Sequence, residues 1–387
     1  MIKLVASDMD GTLLNHHMDI SPENRKAIQK LYDYQVTFAI ATGRHLNEAL
    51  PIVDKYHIHC PLITANGGAV YDANRQLIKA HAINNQDVVS IINATKQFSN
   101  IFIEVMTIDD VISENQELRE RELKHFIKTH HPHLTESELE TYFQNKKQSL
   151  PAKFVPSLVD YITMNQPTVI KLMVFTMDNL DELNMLKEQI TPYSSIVISS
   201  SHQNNLEITH PNAQKGIALF ELAQTYNISM DEVMALGDSF NDYSMISRVG
   251  YGIAMGNAIP AIKNIAYATT DTNIQHGVAT AIEKYVFSIS DNTKHNFTLT
   301  KPLYSLNKVI KRFNKNVLKL SWVYIIAISL ILLTIVQLYR SMASPAKSPH
   351  QTNSSLQQKV DMLESQLERQ EQRIQELEKQ LKSYRPR

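Results

Sequence analysis

The chain has 387 residues with a formal net charge of −1, a balance that excludes a polycation built to bind nucleic acid and leaves room for two or three domains with sizeable cores. Its one cysteine, Cys60, rules out an intrachain disulfide and fits a reducing compartment for the bulk of the chain. The first apolar run is too short for a signal peptide and meets Asp8 almost at once, so none is expected.

From residue 1 to about 290, strand-like and helix-like runs alternate. Strands are predicted at KLVAS (3–7), VTFAIA (36–41), PLITA (61–65), IKLMVF (170–175), SIVIS (195–199), VMAL (233–236) and YGIAM (251–255). Helical patterns cover 22–34, 46–56, 215–226 and 257–266. Such alternation predicts an α/β protein with a largely parallel sheet, whose ligands bind at the carboxyl ends of the strands. The rhythm breaks over 107–160, a charged, helix-prone stretch with few expected core positions. This predicts a second domain, 82–209, inserted into a core made of 1–81 and 210–288. The histidines 125, 130, 131 and 133, and the group His57, His59 and Cys60, are read as surface or chance neighbours rather than metal ligands.

The rest of the chain has a different character. Residues 301–319 hold six basic side chains, and Leu303, Leu306, Ile310, Phe313, Val317 and Leu320 recur at spacings of three and four. A basic amphipathic helix lying on anionic lipid is expected there. Residues 320–339 form an uncharged run of 20, long enough to cross a bilayer, with Trp322, Tyr324 and Tyr339 near its ends. Only two basic residues, Arg340 and Lys347, occur in 340–358, so the charge bias keeps the N-terminal part cytoplasmic and sends the tail across. A flexible Ser/Pro-containing linker, 340–355, precedes a heptad pattern over 356–384. Val360, Leu367, Ile374 and Leu381 fall at a, and Leu356, Leu363, Gln370, Leu377 and Tyr384 at d, with Glu364, Glu371 and Glu378 at e. The pattern predicts parallel self-association as a coiled-coil dimer, against the alternative of a solvated single helix.

Four polar segments sit at strand ends or helix starts. DMDGTLLN places Asp8 and Asp10 after the first strand, which alone would pass for a polar turn. ATGR places Thr42 and Gly43 after the second. QKG sets Lys215 at a helix start, where the dipole disfavours a cation unless an anion is near. GDSFND puts Asp238, Asn241 and Asp242 after a later strand. Together they compose a phosphoryl-transfer site. Asp8 can attack phosphorus and form an aspartyl-phosphate, while Asp10, displaced by two residues, suits the general acid/base role. Magnesium needs a few hard oxygen ligands, for which Asp8, Asp238 and a backbone carbonyl near Asp10 are candidates. Thr42, nearby backbone N–H groups and Lys215 would hold the equatorial oxygens, and Asn241 would bind phosphate or orient Asp238.

These four ordered segments resemble the motifs of the haloacid dehalogenase superfamily, and NGG at 66–68 is similar to the Cof-type phosphatases with an inserted α/β cap. The resemblance covers about residues 1–287. It implies a three-layer Rossmann-like core with an α/β cap, a magnesium-dependent phosphatase acting on small phosphorylated metabolites, and the following roles. Asp8 is nucleophile and metal ligand, Asp10 is acid/base with its carbonyl on the metal, and Asp238 binds metal. Met9 through its backbone, Thr42, Gly43, Lys215 and Asn241 bind phosphate; Thr12 braces the loop, and Asp242 positions Lys215 or its loop. Sugar phosphates, or cofactor phosphates such as flavin mononucleotide or pyridoxal phosphate, are the expected substrates. Nothing at these positions departs from the family pattern, but the membrane span and coiled coil are not part of the usual family chain. P-type pumps, which share the aspartyl-phosphate, follow the nucleophile with Lys-Thr and lack the second aspartate. A phosphomutase would keep the same core. The rival from another class is a membrane-anchored interaction protein with a vestigial phosphatase fold, against which the intact Asp8/Asp10 pair argues.

Overall fold

The computed structural model describes residues 1–288 apart from 131, 132, 178 and 201. The expected juxtamembrane helix, membrane span, linker and coiled coil, 301–384, lie outside the described residues. Among those described, no helix is long and apolar enough to cross a membrane.

The strands are β1 (Leu4–Ser7), β2 (Thr37–Ala41), β3 (Leu62–Thr64), β4 (Ala69–Tyr71), β5 (Leu77–Ala80), β6 (Ile101–Thr107), β7 (Val111–Ser113), β8 (Lys153–Phe154), β9 (Val169–Thr176), β10 (Val197–Ser199), β11 (Asn205–Thr209), β12 (Val233–Gly237), β13 (Tyr251–Ala254) and β14 (Ala268–Thr269). The helices are α1 (Pro22–Asp33), α2 (Leu46–Lys55), α3 (Asn85–Thr95), α4 (Gln116–His130), α5 (Glu136–Ser149), α6 (Leu158–Asn165), α7 (Leu180–Ile190), α8 (Lys215–Thr225), α9 (Tyr243–Arg248), α10 (Pro260–Ile265) and α11 (Gly277–Ile282).

Two sheets result. The first runs β14-β13-β12-β1-β2-β3-β4-β5, parallel from β14 to β3 and antiparallel from β3 to β5. Every residue of β1 and β12 is buried, so both faces of the sheet are covered, as a parallel sheet between two helical layers requires. β1 lies between β2 and β12, so the loops after three adjacent strands emerge side by side. That is where an open α/β sheet offers a crevice. Cys60 is packed in this core, and burial pushes its thiol up to about 12, an inert state.

The second sheet, β10-β11-β9-β6-β7-β8, is antiparallel except where β7 meets β8. Its apolar side residues, among them Ile103, Val105, Leu172, Val174, Leu206 and Ile208, pack with α3, α6 and α7 around one core cluster. By strand alternation, Glu104, Lys171 and Glu207 point to the other face. All three are buried, and they are paired: Lys171 with Glu207 at 2.6 Å, and Glu104 with Arg119. The stretch 107–160 has more core than expected from its charge. Val111, Ile112, Ile127, Phe143 and Leu158 are all buried, and Lys124 lies over the Phe143 ring at 4.4 Å. The expected helix at 257–266 begins only at Pro260, whose fixed φ suits the first helical position.

Candidate active site

Asp8 directly follows β1, and its backbone N–H still bonds to Leu236 of β12. The chain then folds tightly over Met9–Leu13. Gly11 makes that turn possible: its φ is +78°, and a Cβ there would stand 2.6 Å from Asp238 Oδ2. Thr12 Oγ1 donates to Asp238 Oδ1 at 3.1 Å, so the first loop braces the acid on the loop after β12. Asn257 Nδ2 donates to the Gly11 carbonyl at 2.8 Å and holds the turn from the far side.

Lys215 opens α8 and is fully buried. Its Nζ lies 2.6 Å from Asp8 Oδ1 and 2.7 Å from Asp242 Oδ1, which answers why a helix starts on a cation. Asp242 uses its other oxygen to accept from the backbone N–H groups of Asp238 and Ser239, at 2.8 and 3.0 Å. It therefore fixes both the lysine and the loop. Carboxylate oxygens of Asp8, Asp238 and Asp242 all lie within 4.8 Å of one another. Burial first, then Asp242, drives the Asp8 carboxyl well above its usual range, with Lys215 pulling against the rise. Asp238 is raised by the same two causes in the same order. Three carboxylates facing one ammonium leave negative charge in excess, and the donors are all hard oxygens; this set fits a divalent cation such as magnesium. One Asp242 oxygen is held by the Lys215 ammonium and the other by two backbone N–H groups, whereas Asp238, among the described residues, meets only the hydroxyls of Thr12 and Ser239. Asp8 and Asp238 are therefore the acids better able to hold such an ion.

The other residues singled out in the sequence are placed as follows. Thr42 is buried at the end of β2, and its hydroxyl oxygen accepts from Arg44 N at 3.2 Å. Gly43 sits under Asn66, whose Oδ1 would lie 3.0 Å from a Cβ at that position. Asn241 Nδ2 donates to the same Oδ1 at 3.1 Å. Met9 follows Asp8 at the start of the turn and is buried. Asp10 is not part of the acidic cluster. Its half-exposed carboxylate is gripped by Arg44, with Nε at 2.8 Å and Nη2 at 2.6 Å.

Arg44 and Asn66 are the residues that reading by motif passed over. Arg44 directly follows Thr42-Gly43, so its adjacency was the available signal. The Asn66 side chain reaches into the site only because the turn after β3 takes a left-handed backbone at φ 59°. Lys146 of α5 also approaches: burial, then Arg44, lowers its ammonium, while Asp10 and Glu48 act the other way. The second sheet meets the first beside these residues. His45 Nε2 is 2.9 Å from the Thr107 carbonyl, and Asn47 Nδ2 donates to the Asp109 carbonyl at 2.9 Å.

Comparison with known proteins shows the family. Residues 5–282 match the family described as haloacid dehalogenase-like hydrolase. The chain is 32% identical over 285 residues to 5-amino-6-(5-phospho-D-ribitylamino)uracil phosphatase YwtE of Bacillus subtilis, covering 73% of this chain and 98% of that protein. It is 28% identical over 267 residues to HMP-PP phosphatase of Serratia proteamaculans, covering 68% and 88%. A solved haloacid dehalogenase-like hydrolase from B. subtilis superposes with a TM-score of 0.63 at 29% identity, over 73% of this chain and 100% of that one. A chain that carries this family's fold across its described residues, and whose named relatives are phosphatases, is a phosphoric monoester hydrolase and belongs to the haloacid dehalogenase-like hydrolases.

Proposed function

We propose that this protein is a magnesium-dependent phosphatase of small phosphorylated metabolites, working through an aspartyl-phosphate at Asp8 and tethered to a membrane by residues 320–339. The observation that carries the reaction is the position of Asp8: a strand-end carboxylate held by a buried lysine and faced by a second acid on the neighbouring loop. A bound magnesium would be held by Asp8, Asp238 and the Asp10 carbonyl, and would offset the repulsion between carboxylate and phosphate dianion.

The protein's own groups do the rest. The Asp8 carboxylate attacks phosphorus as the bond to the leaving oxygen breaks, and Asp10 gives that oxygen its proton. Asp10 then takes a proton from water as the water oxygen attacks phosphorus and the bond to Asp8 breaks, releasing phosphate. Lys215, the Thr42 hydroxyl, Asn241 and the backbone at Met9 and Gly43 hold the remaining phosphate oxygens as charge moves among them. For Asp10 to act, Arg44 must loosen its two bonds.

Sugar phosphates or cofactor phosphates are the proposed substrates. The names of two relatives, a ribitylaminouracil phosphatase and an HMP-PP phosphatase, support small polar leaving groups. The second sheet's face opposite its apolar cluster mixes two buried ion pairs with Phe102, Met106 and Phe175, so it offers polar and apolar contacts together. Tethering rests on the uncharged run 320–339 and the six-to-two excess of basic residues on its N-terminal side. That excess assigns catalysis to the cytoplasmic face. The heptads at 356–384 are then on the opposite side, available for self-association.

The test is a panel of phosphate esters given to the purified full-length protein with magnesium. Hydrolysis of p-nitrophenyl phosphate and of a few sugar or cofactor phosphates is expected, and Asp8→Asn should abolish it. Activity that survives this change would remove the proposed nucleophile. A well-folded protein inactive on the whole panel would favour a binding role.

A further inference from the structure

We propose that Glu207, on β11 of the second sheet, is a positioning residue that aims the Asn241 amide at the phosphate through Asn66. The proposal rests on the reading of Asn241 as a phosphate-binding group.

Three hydrogen-bonded links make the connection. Lys171 Nζ lies 2.6 Å from Glu207 Oε2, with both side chains almost wholly buried. Asn66 Nδ2 donates to that same oxygen at 3.3 Å. Asn66 Oδ1 in turn accepts from Asn241 Nδ2 at 3.1 Å. The direction of each link is dictated by the one before it. An ammonium only donates and an ionised carboxylate only accepts, so Glu207 can receive only the NH₂ end of the Asn66 amide. The oxygen end of Asn66 is then turned toward Asn241, which must answer with its own NH₂. That group has two N–H bonds. One is spent on Asn66, and its direction sets where the other points; on the reading of Asn241 as a phosphate-binding group, that is toward the phosphate. Without the charged pair in the second sheet, either amide could flip and present an oxygen to the phosphate, a repulsive contact.

Asn66 itself is wedged in place. Its oxygen rests above Gly43, and the next residue, Gly67, has φ +98° and lies so close to the Gln214 backbone that a Cβ would stand 2.6 Å from it. The NGG triplet thus bridges the loop after β2 and the start of α8, and its asparagine carries the polarity from one sheet to the other. The arrangement makes the phosphate site depend on the second sheet being seated, since β11 supplies the acceptor that orients it.

The experiment is a double-mutant cycle on the full-length protein with p-nitrophenyl phosphate and magnesium, read as kcat/KM and as the inhibition constant of inorganic phosphate. Asn241→Ala and Glu207→Gln should each lower kcat/KM by about tenfold and weaken phosphate inhibition in parallel, as loss of one charge-linked hydrogen bond would. The double variant should be no worse than Asn241→Ala alone. Losses that multiply in the double variant would overturn the coupling, as would a Glu207→Gln protein with unchanged kinetics. If Glu207→Gln fails to fold, Asn66→Gly, which keeps the left-handed backbone, carries the same cycle and the same outcomes. An Asn241→Ala protein indistinguishable from wild type would sink the phosphate-binding reading of Asn241 itself, and the proposal with it.

Discussion

Replacing Lys215 with methionine keeps most of the side chain's bulk and removes the ammonium that Asp8 and Asp242 share at 2.6 and 2.7 Å. The lysine and Asp242 side chains are fully buried and that of Asp8 is 7% exposed, so water cannot replace the lost partner. Removing one partner of a buried ion pair costs about 3–5 kcal/mol, chiefly through the stranded charge. At about 2 °C per kcal/mol for a chain of this size, melting should fall by roughly 6–10 °C at neutral pH. The sign of the pH dependence follows from linkage. Lys215 is raised above its ordinary value, so its contribution is complete below that value and lost only in strong alkali. Asp8 is also raised, so it favours folding in acid, and that benefit is lost as pH rises through its folded value. Without Lys215 the Asp8 value climbs further, so the deficit of the variant should be small near pH 4 and grow toward pH 8. The assay is thermal unfolding by circular dichroism of the compact unit Met1–Asn296, with chelator present so that no divalent ion stands in for the ammonium. Equal melting temperatures at pH 8, or a deficit that does not change with pH, would refute the argument.

Three further outcomes are expected. Chelation should abolish turnover reversibly, and Asp238→Asn should raise the magnesium concentration needed for half-maximal rate by at least about tenfold, read from a metal titration. Asp10→Asn should cut kcat by about 10²–10⁴, while Arg44→Gln, which removes the two bonds that must loosen before Asp10 acts, should not lower kcat and should change nothing further once Asp10 is gone; kcat for the single and double variants decides this. Protease added to intact cells should clip the tail beyond Arg340 and spare the catalytic part. Deleting 356–387 should reduce self-association, measured by cross-linking, without changing turnover.

The legible part of this protein was local. Asp8, Thr42 and Asp238 each follow a run of apolar residues that ends at a polar turn, and that order along one chain was enough to compose a site. Lys215 stood out because a helix start disfavours a cation, and the structure supplies two anions for it. What escaped was set by contacts between distant segments. β6 and β11 were not read as strands, and Glu104 and Glu207 interrupt their apolar runs; those two become acceptable only when Arg119 and Lys171 arrive from elsewhere. Asp10 was assigned a role but not its grip by Arg44, which depends on how the loop after β2 lies beside the turn after β1. Phe143 looked like part of a solvated helix until Lys124 of the neighbouring helix covered it.

The most direct test of the central claim is to trap the phosphorylated enzyme. p-Nitrophenolate leaves without much help from an acid, so the Asp10→Asn protein should still be phosphorylated but should lack the base that activates water. Rapid acid quench should show a burst approaching one p-nitrophenolate per site, and mass spectrometry should find one phosphoryl group on the peptide containing Asp8, removable by hydroxylamine. A phosphoryl group on any other residue, or no phosphorylated protein while wild-type turnover proceeds, would contradict the account.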